Sequence, residues 1–597
     1  MMNDQFIKIQ FPDGKQQQYE RGVTLTDIAH SISPSLSKKT IVGYVNGIPT
    51  DVARPITEDA QISLYDAASK EGIAVVRHST AHLLAHALKR IYPSIHFGVG
   101  PVIEDGFYYD VELDSPITPS DLPQIEKVMK QIINENVEIN RKEVSREKAK
   151  QLFAHDPLKL ELIEDIPQDE PVTVYEQGDF YDLCRGPHIP FTGKIQHFKL
   201  TKVSGAYWRG DSNNKMLQRI YGVAFATKDE LRDYFVFLEE AEKRNHRKLG
   251  KELELFMFSE EAPGMPFYLA NGQIIRNELE SFLRNLQAEY DYKDVRTPLM
   301  MNQRLWEQSG HWDHYKENMY FTQVDEQSFA LNGLLRVRSF CQDDAHIFVT
   351  PEQIEDEITL ALKIIDHVYK VFGFEYEIEL STRPDNSMGS EELWNRAETA
   401  LENVLNNLGY TYKINEGDGA FYGPKIDIHI KDAIQRSHQC ATVQLDFQLP
   451  EKFDLTYIDK QNEKARPVVI HRAVFGSIDR FLGILIEHFA GAFPVWLAPT
   501  QVQIVPVSQV HLDYCFKIQS QLRQLGVRVK IDDDEEKLGY KIRRAQMQKI
   551  PYIIVLGDEE LKENTVNVRK HGEKQSIRLP FKDFKENIVK QINERSI

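Results

Sequence analysis

Cysteine is scarce in this sequence. There are four in 597 residues, Cys184, Cys341, Cys440 and Cys515, and no two form a CxxC pair. That excludes a disulfide-stapled framework and points to a reducing compartment, the cytoplasm. No apolar run approaches the ~20 residues of a membrane span. The opening MMNDQFIKIQFPDGK lacks the pattern of a secretory signal. Cations are in deficit: 72 Lys and Arg against 90 Asp and Glu give a net charge of −18. This argues against coating nucleic acid nonspecifically, while a local basic groove remains compatible with it. Hydrophobic residues make up 41% and charged residues 27%, a globular balance. The length exceeds what one core supports and predicts roughly three to five domains.

What is present begins with alternation at Phe6–Phe11, a Pro-Asp-Gly turn at 12–14, a short helix over Thr24–Ile32, and a hairpin tip at Val45-Asn46-Gly47. Ile62–Tyr65 closes this small mixed unit, which carries no evident chemistry. In the next stretch His78, His82 and His86 recur at i, i+4 and i+8, one stripe of a helix, beside apolar Leu83, Leu84, Ala87 and Leu88. Asp182-Leu-Cys184-Arg-Gly-Pro-His188 follows about a hundred residues later. Taken singly, such histidines are more often structural than functional. Thr227 to Glu230 reads as a capping box that opens a charge-rich helix, with Leu231, Phe235 and Leu238 at helical spacing.

In Leu331–Val349 the pattern predicts a strand, a polar turn and a second strand. Residues two apart share a strand face, so Arg336, Arg338, Gln342, Asp344 and His346 have one parity and Leu335, Val337, Ser339 and Cys341 the other. The first set suits an anionic or metal-bound ligand and the second a core. The last hundred residues alternate apolar strands (502–507, 527–531, 552–556) with a helix at 514–525, an α/β sandwich with a mixed sheet. Within it Lys537, Lys541, Arg543, Arg544 and Lys549 are basic in an acidic chain, equally consistent with a solvated helix face or RNA.

The segments RVRSFCQDDAHIF, GAFYGPKID, RSHQCATVQLDF and HRAVFGSIDR, together with HxxxH and CRGPH, resemble the threonyl-tRNA synthetase family of class II aminoacyl-tRNA synthetases, along nearly the whole chain. The resemblance implies a multidomain α+β and α/β protein. Residues 1–66 would be a ubiquitin-like (TGS-type) module, 67–226 an α+β editing domain, and 227–248 a linker helix setting the spacing of editing and catalytic units. Residues 249–497 would be a class II antiparallel-sheet catalytic domain and 498–597 an α/β anticodon-binding domain. The implied activity is ATP-dependent activation of threonine and its transfer to tRNA(Thr), with hydrolytic editing of Ser-tRNA(Thr). By position, Arg336, Gln342, Asp344, Tyr422 and Gln444 carry over to the synthetic site, and Lys425, Gln439, Ser477 and Arg480 to ATP-Mg. His346 and His471 carry over to zinc, one per chain in the family, and Glu560 and Arg569 to the anticodon. His78, His82, Asp182, Cys184 and His188 carry over to editing, with Lys159 a further candidate. Ester hydrolysis there requires a placed water, a base and a small polar pocket. The same donors suit tetrahedral zinc, and the threonyl version of the domain favours the metal-free water. The helix 275–288 leading to Pro298 resembles the motif that pairs class II cores, which implies a homodimer. No membrane partner is implied.

One piece of the family pattern is absent. Ala330-Leu331 runs directly into Asn332-Gly333, where the family has a Met-Asn-Cys-Pro-Gly-His run, a helix and a strand ending in Arg-x-Glu. The missing piece amounts to about 30 residues or more. It would carry the third zinc ligand, a cysteine, and the arginine on the α-phosphate. Cys341 has the wrong parity to substitute, whereas Cys440 shares parity with Gln444. Losing one transition-state donor costs on the order of 10²–10³ in rate, so the synthetic step is expected to be impaired. Two alternatives follow: a tRNA-binding editing hydrolase without synthesis, and a noncatalytic RNA-binding or regulatory protein.

Overall fold

A computed structural model describes residues 5–297, 303–316, 333–335 and 340–597. The chain divides into two compact units, residues 1–237 and 238–597, the division falling within helix Lys228–Arg244. Arg336, Arg338, Pro298 and the junction Leu331–Asn332 lie outside the described residues.

In the first unit, strands Phe6–Gln10, Gln16–Glu20, Thr40–Val45, Ile48–Thr50 and Ala60–Asp66 form one five-stranded sheet against helix Leu25–Ile32. Asn46 and Gly47 both take positive φ, 51° and 80°, the twist a two-residue hairpin needs. The helix starts at a Thr24–Asp27 capping box. Asp66 then accepts the N–H groups of Ala68 and Ser69, and Ser69 caps helix Lys70–Ile91. This helix lies against a sheet containing Gly106–Glu112, His197–Tyr207 and Met216–Phe225, beside a three-stranded sheet of Ile139–Val144, Val172–Gln177 and Phe180–Leu183. Ile41 and Val42 of the small sheet belong to the same apolar core as Leu83, Leu84 and Leu88.

The capping box at Thr227 is present: Thr227 N–H donates to Glu230 and Glu230 N–H to Thr227 Oγ1. In the second unit, helices Ala270–Glu289 and Ile354–Phe372 cover a six-stranded sheet. Its order is Ala345–Val349, Val468–Ala473, Ser437–Asp446, Lys425–Lys431, Glu375–Ser381, Tyr412–Asn415. All pairs are antiparallel except the last. Among the described residues Ala345–Val349 is therefore an edge, and its Phe348 is 61% exposed. The C-terminal sheet runs Val529–Ile531, Val502–Pro506, Tyr552–Leu556, Thr565–Lys570, Ile577–Pro580, three parallel strands and two antiparallel. Among the described residues no helix is long and apolar enough to cross a membrane.

Candidate active sites

Helix Lys70–Ile91 places His78 and His82 one turn apart on its buried side. Strand Phe180–Leu183 delivers Asp182, and the turn after it Cys184 and His188. His78 Nε2 lies 3.0 Å and His188 Nε2 3.3 Å from Cys184 Sγ. The rings of His188 and His82 are 4.3 Å apart, and those of His188 and His78 4.5 Å. Ser79 Oγ holds His188 Nδ1 at 3.0 Å. Lys159 Nζ meets Asp182 Oδ1 at 2.5 Å and Tyr109 OH at 3.1 Å; Tyr109 also donates to Asp182 Oδ2, which is 3.7 Å from His82 Nδ1. Lys159 is 2% and Asp182 1% exposed, and this buried ion pair persists because hydrogen bonds satisfy both partners.

Burial sets the protonation states. It lowers His78 to about 4 and His82 to about 3, and takes His188 well below the ordinary value. It pushes the Cys184 thiol up to about 12. Near neutral pH the imidazoles are neutral and the thiol keeps its proton, a poor state for a nucleophilic cysteine. For Asp182 burial acts upward, but the Lys159 charge and the His82 ring outweigh it and hold the carboxyl below its usual range. One donor atom each from His78, His82, Cys184 and His188 lies within 4.8 Å of the others, so the donor set also fits a tetrahedral metal. His86, the third of the stripe, is elsewhere: Gln177 donates to its Nδ1 at 2.9 Å and its Nε2 meets Asp179 at 2.7 Å. Tyr109, Tyr175 and Ser79 belong to this cluster without any spacing signal in the sequence.

In the second unit, His346 and His471 are paired across adjacent strands, ring centroids 4.8 Å apart, with Gln444 opposite His471 on the other side. Asp446 Oδ2 meets His471 Nε2 at 2.9 Å, the outer support typical of a metal-binding histidine. Tyr422 donates to Gln444 Oε1 and its ring is 5.3 Å from His471. Burial raises Asp344, a tendency opposed by His346 and His471, and lowers His346. Lys425 bridges Asp418 at 3.1 Å and Asp427 at 2.8 Å; Gln439 Nε2 donates to Asp427 at 2.7 Å. Ser477 caps helix Ile478–His488 by accepting from the Arg480 N–H. Among the described residues Arg480 has no carboxylate partner within ion-pair distance, as an anion clamp requires.

Cys440 does not follow the parity expected of it. Ile428 pairs with Ala441 but His429 with Gln439, so Cys440 is the extra residue of a β-bulge. It joins the apolar core at 7% exposure, its thiol pushed up to about 12 by burial. Cys341 is exposed. Among the described residues no third His, Cys, Asp or Glu donor joins His346 and His471 as a metal-binding group, and the cysteine that the resemblance implies is not supplied by Cys341 or Cys440. Asp343, read as part of a polar turn, is instead a buried anchor. Its carboxylate accepts the N–H groups of Val474, Phe475 and Gly476 at 2.8, 3.0 and 2.9 Å and lies 3.5 Å from buried Arg472. Burial raises it to about 6.

In the C-terminal region Glu560 is 5% exposed, accepts the Gly557 N–H at 3.0 Å and pairs with Arg578 at 3.1 Å. Arg569 donates to the Lys574 carbonyl. Of the basic run, Lys541 bonds the Asp532 carbonyl, Arg544 pairs with Asp532 and Asp534, and Lys549 bonds the Ala490 carbonyl. Much of that basicity is spent inside the protein.

Four family models match: the TGS domain over 7–66, the second additional domain of threonyl- and alanyl-tRNA synthetases over 172–221, the class II core domain of G, H, P, S and T synthetases over 321–489, and an anticodon-binding domain over 501–591. Threonine–tRNA ligase 2 of Bacillus subtilis is 59% identical, the match covering 99% of each chain. The chain belongs to the threonine–tRNA ligase family. It thus falls among the aminoacyl-tRNA ligases, with an editing-type domain and a class II core. Threonine–tRNA ligase of Clostridium tetani is 50% identical over 99% of each chain. Both alignments run over 634 positions against the 597 residues here, so at least 37 positions of these relatives have no counterpart. A crystal structure of the RNA-binding domain of threonyl-tRNA synthetase from Cryptosporidium parvum superposes with a TM-score of 0.56 at 37% identity, covering 58% of this chain and 98% of that one. A structure of a threonyl-tRNA synthetase from Aeropyrum pernix, at 24% identity, TM-score 0.52 and coverage of 59% and 97%, shares the fold.

Proposed function

We propose that this chain hydrolyses Ser-tRNA(Thr) at the His78, His82, Cys184, His188 cluster, and that its ligase centre, which by family joins threonine to tRNA(Thr) using ATP-Mg, is impaired by the segment absent between Leu331 and Asn332. The editing cluster carries this reading. All its members precede the junction, and its acid–base partners are intact: Lys159, Asp182 and Tyr109 form a closed hydrogen-bonded set. Water adds to the ester carbonyl and passes its proton to a neutral imidazole of the cluster. The ribose oxygen leaves and takes the proton back, giving free serine and tRNA. A protonated Cys184 thiol serves as a hydrogen-bond donor in this scheme. The domain boundaries 66, 226, 248 and 497, a cytoplasmic location and a homodimer paired through the region of helix Ala270–Glu289 belong to the same proposal.

At the ligase centre Gln342, Asp344, Tyr422 and Gln444 would bind threonine; Arg336, which the family resemblance assigns to the same centre, lies outside the described residues. Lys425, Gln439, Ser477 and Arg480 would face ATP-Mg, and Glu560 and Arg569 the anticodon. With no third ligand beside His346 and His471 among the described residues, no step is assigned to zinc. The test is single-turnover deacylation of Ser-tRNA(Thr) by the full chain and by a His78→Ala, His82→Ala double variant. Hydrolysis by the first alone is expected; equal rates would refute the site.

A further inference from the structure

The loop carrying Cys184 and His188 is anchored from outside the editing domain. Asp51 follows strand Ile48–Thr50 of the N-terminal unit, and the next residue, Val52, is buried there at 3% exposure. The Val52 carbonyl accepts from both the N–H and the hydroxyl of Thr26, which fixes the backbone on that side. The two oxygens of Asp51 then reach the editing loop and the strand beside it. Oδ1 accepts the His188 N–H at 2.8 Å and Oδ2 the Tyr175 hydroxyl at 2.7 Å. Tyr175 is 2% exposed, and its ring stands edge-on to the His188 imidazole at 4.4 Å. A side chain at Gly186 would collide with the Tyr175 hydroxyl, at 1.8 Å from the would-be Cβ. The loop backbone thus packs directly on the Tyr175 ring, which in turn packs on the imidazole.

We infer that Asp51 is a positioning residue of the editing reaction, and that the ubiquitin-like module completes the editing site. Each bond to the Asp51 carboxylate is a charge-assisted one, about twice as strong as a neutral bond; one holds the loop backbone at His188 and the other holds Tyr175 on strand Val172–Gln177. Ser79 Oγ restrains the far side of His188 through Nδ1, and also accepts the Ile189 N–H at 3.1 Å. His188 is thus held at its backbone by one domain and at its ring by the other. The shared apolar core around Ile41 and Val42 keeps the two domains in register. Displacement of a catalytic group by about 1 Å is enough to cost on the order of 10²-fold in rate. This inference rests on the editing reading above.

The experiment uses the full chain with Asp51→Ala, Asp51→Asn and Asp51→Glu, a Tyr175→Phe variant, and Ile41→Ala as an interface control. Hydrolysis of Ser-tRNA(Thr) by Asp51→Ala should lose about ten- to a hundredfold in kcat with KM unchanged. Asp51→Asn should lie between it and the parent, because an amide accepts only one of the two bonds. Asp51→Ala combined with Tyr175→Phe should be less than additive, as for residues sharing one network. Ile41→Ala should lower the melting temperature without a matching loss of kcat. A second readout needs no catalysis: iodoacetamide labelling of Cys184, followed by mass on its peptide, should be at least severalfold faster in Asp51→Ala. If the parent chain fails to hydrolyse the ester, the editing reading falls and the labelling rate alone decides the role of Asp51. Parent-like kcat in Asp51→Ala, or unchanged Cys184 labelling, overturns the inference.

Discussion

His346 and His471 stand opposite one another on neighbouring antiparallel strands, their rings 4.8 Å apart and nearly perpendicular at 79°. Asp446 supports His471 from outside. Among the described residues no third metal donor joins this pair. In a His78→Ala, His82→Ala background, which removes the donors of the other cluster, zinc is expected below one equivalent and lost to mild chelation. Cys440→Ser should leave that content unchanged, since the bulge turns Cys440 into the core. One tightly held zinc that disappears with Cys440→Ser would contradict this.

The Asp343 carboxylate should matter more to stability than its place in an acidic turn suggests. Asp343→Ala leaves three backbone N–H groups without this acceptor and buried Arg472 without this carboxylate. Uncompensated burial of that kind costs about 3–5 kcal/mol. Denaturant unfolding of the second unit should show the loss, and Asp343→Asn a smaller one.

Acid should destabilise the first unit through its histidines. In the folded state His78 and His82 stay neutral down to about pH 4 and 3, whereas unfolded histidine titrates near 6.5. Between those values the unfolded chain binds more protons, so stability is full above about pH 6.5 and falls as pH drops toward 4. The melting temperature of the first unit should decline across that window, less steeply in a His78→Gln, His82→Gln variant. Parallel slopes would show that these rings are not the cause.

Much of this architecture was legible in residue order. The Asn46-Gly47 tip, the Thr227–Glu230 cap and the helix bearing His78 and His82 obey local rules, because their stabilising groups lie within a few residues. The face exposing His346 and Phe348 while Ile347 packs inward follows strand parity. Parity misled at Cys440, where a single inserted residue reverses the side that faces the core, and inserted residues leave no pattern in one strand. Asp51, Tyr109 and Lys159 reach the editing cluster by long-range contacts from three separate elements, which no spacing encodes. Asp343 looked like solvent-facing turn chemistry because its three amide partners lie more than 130 residues away.

Self-association should survive the missing segment, because helix Ala270–Glu289 is formed and its apolar side is buried in the core. Sedimentation at micromolar concentration is expected to give a dimer. A monomer alone would detach the pairing role from this region.

The editing cluster is expected to act in this chain and the ligase centre to be impaired. Threonine-dependent ATP–pyrophosphate exchange tests it most directly, with zinc supplied, on the chain as it stands and on one with the family's segment restored between Leu331 and Asn332. Exchange near background in the first and robust exchange in the second is the expected result. Robust exchange by the chain as it stands would show that its ligase centre works without that segment.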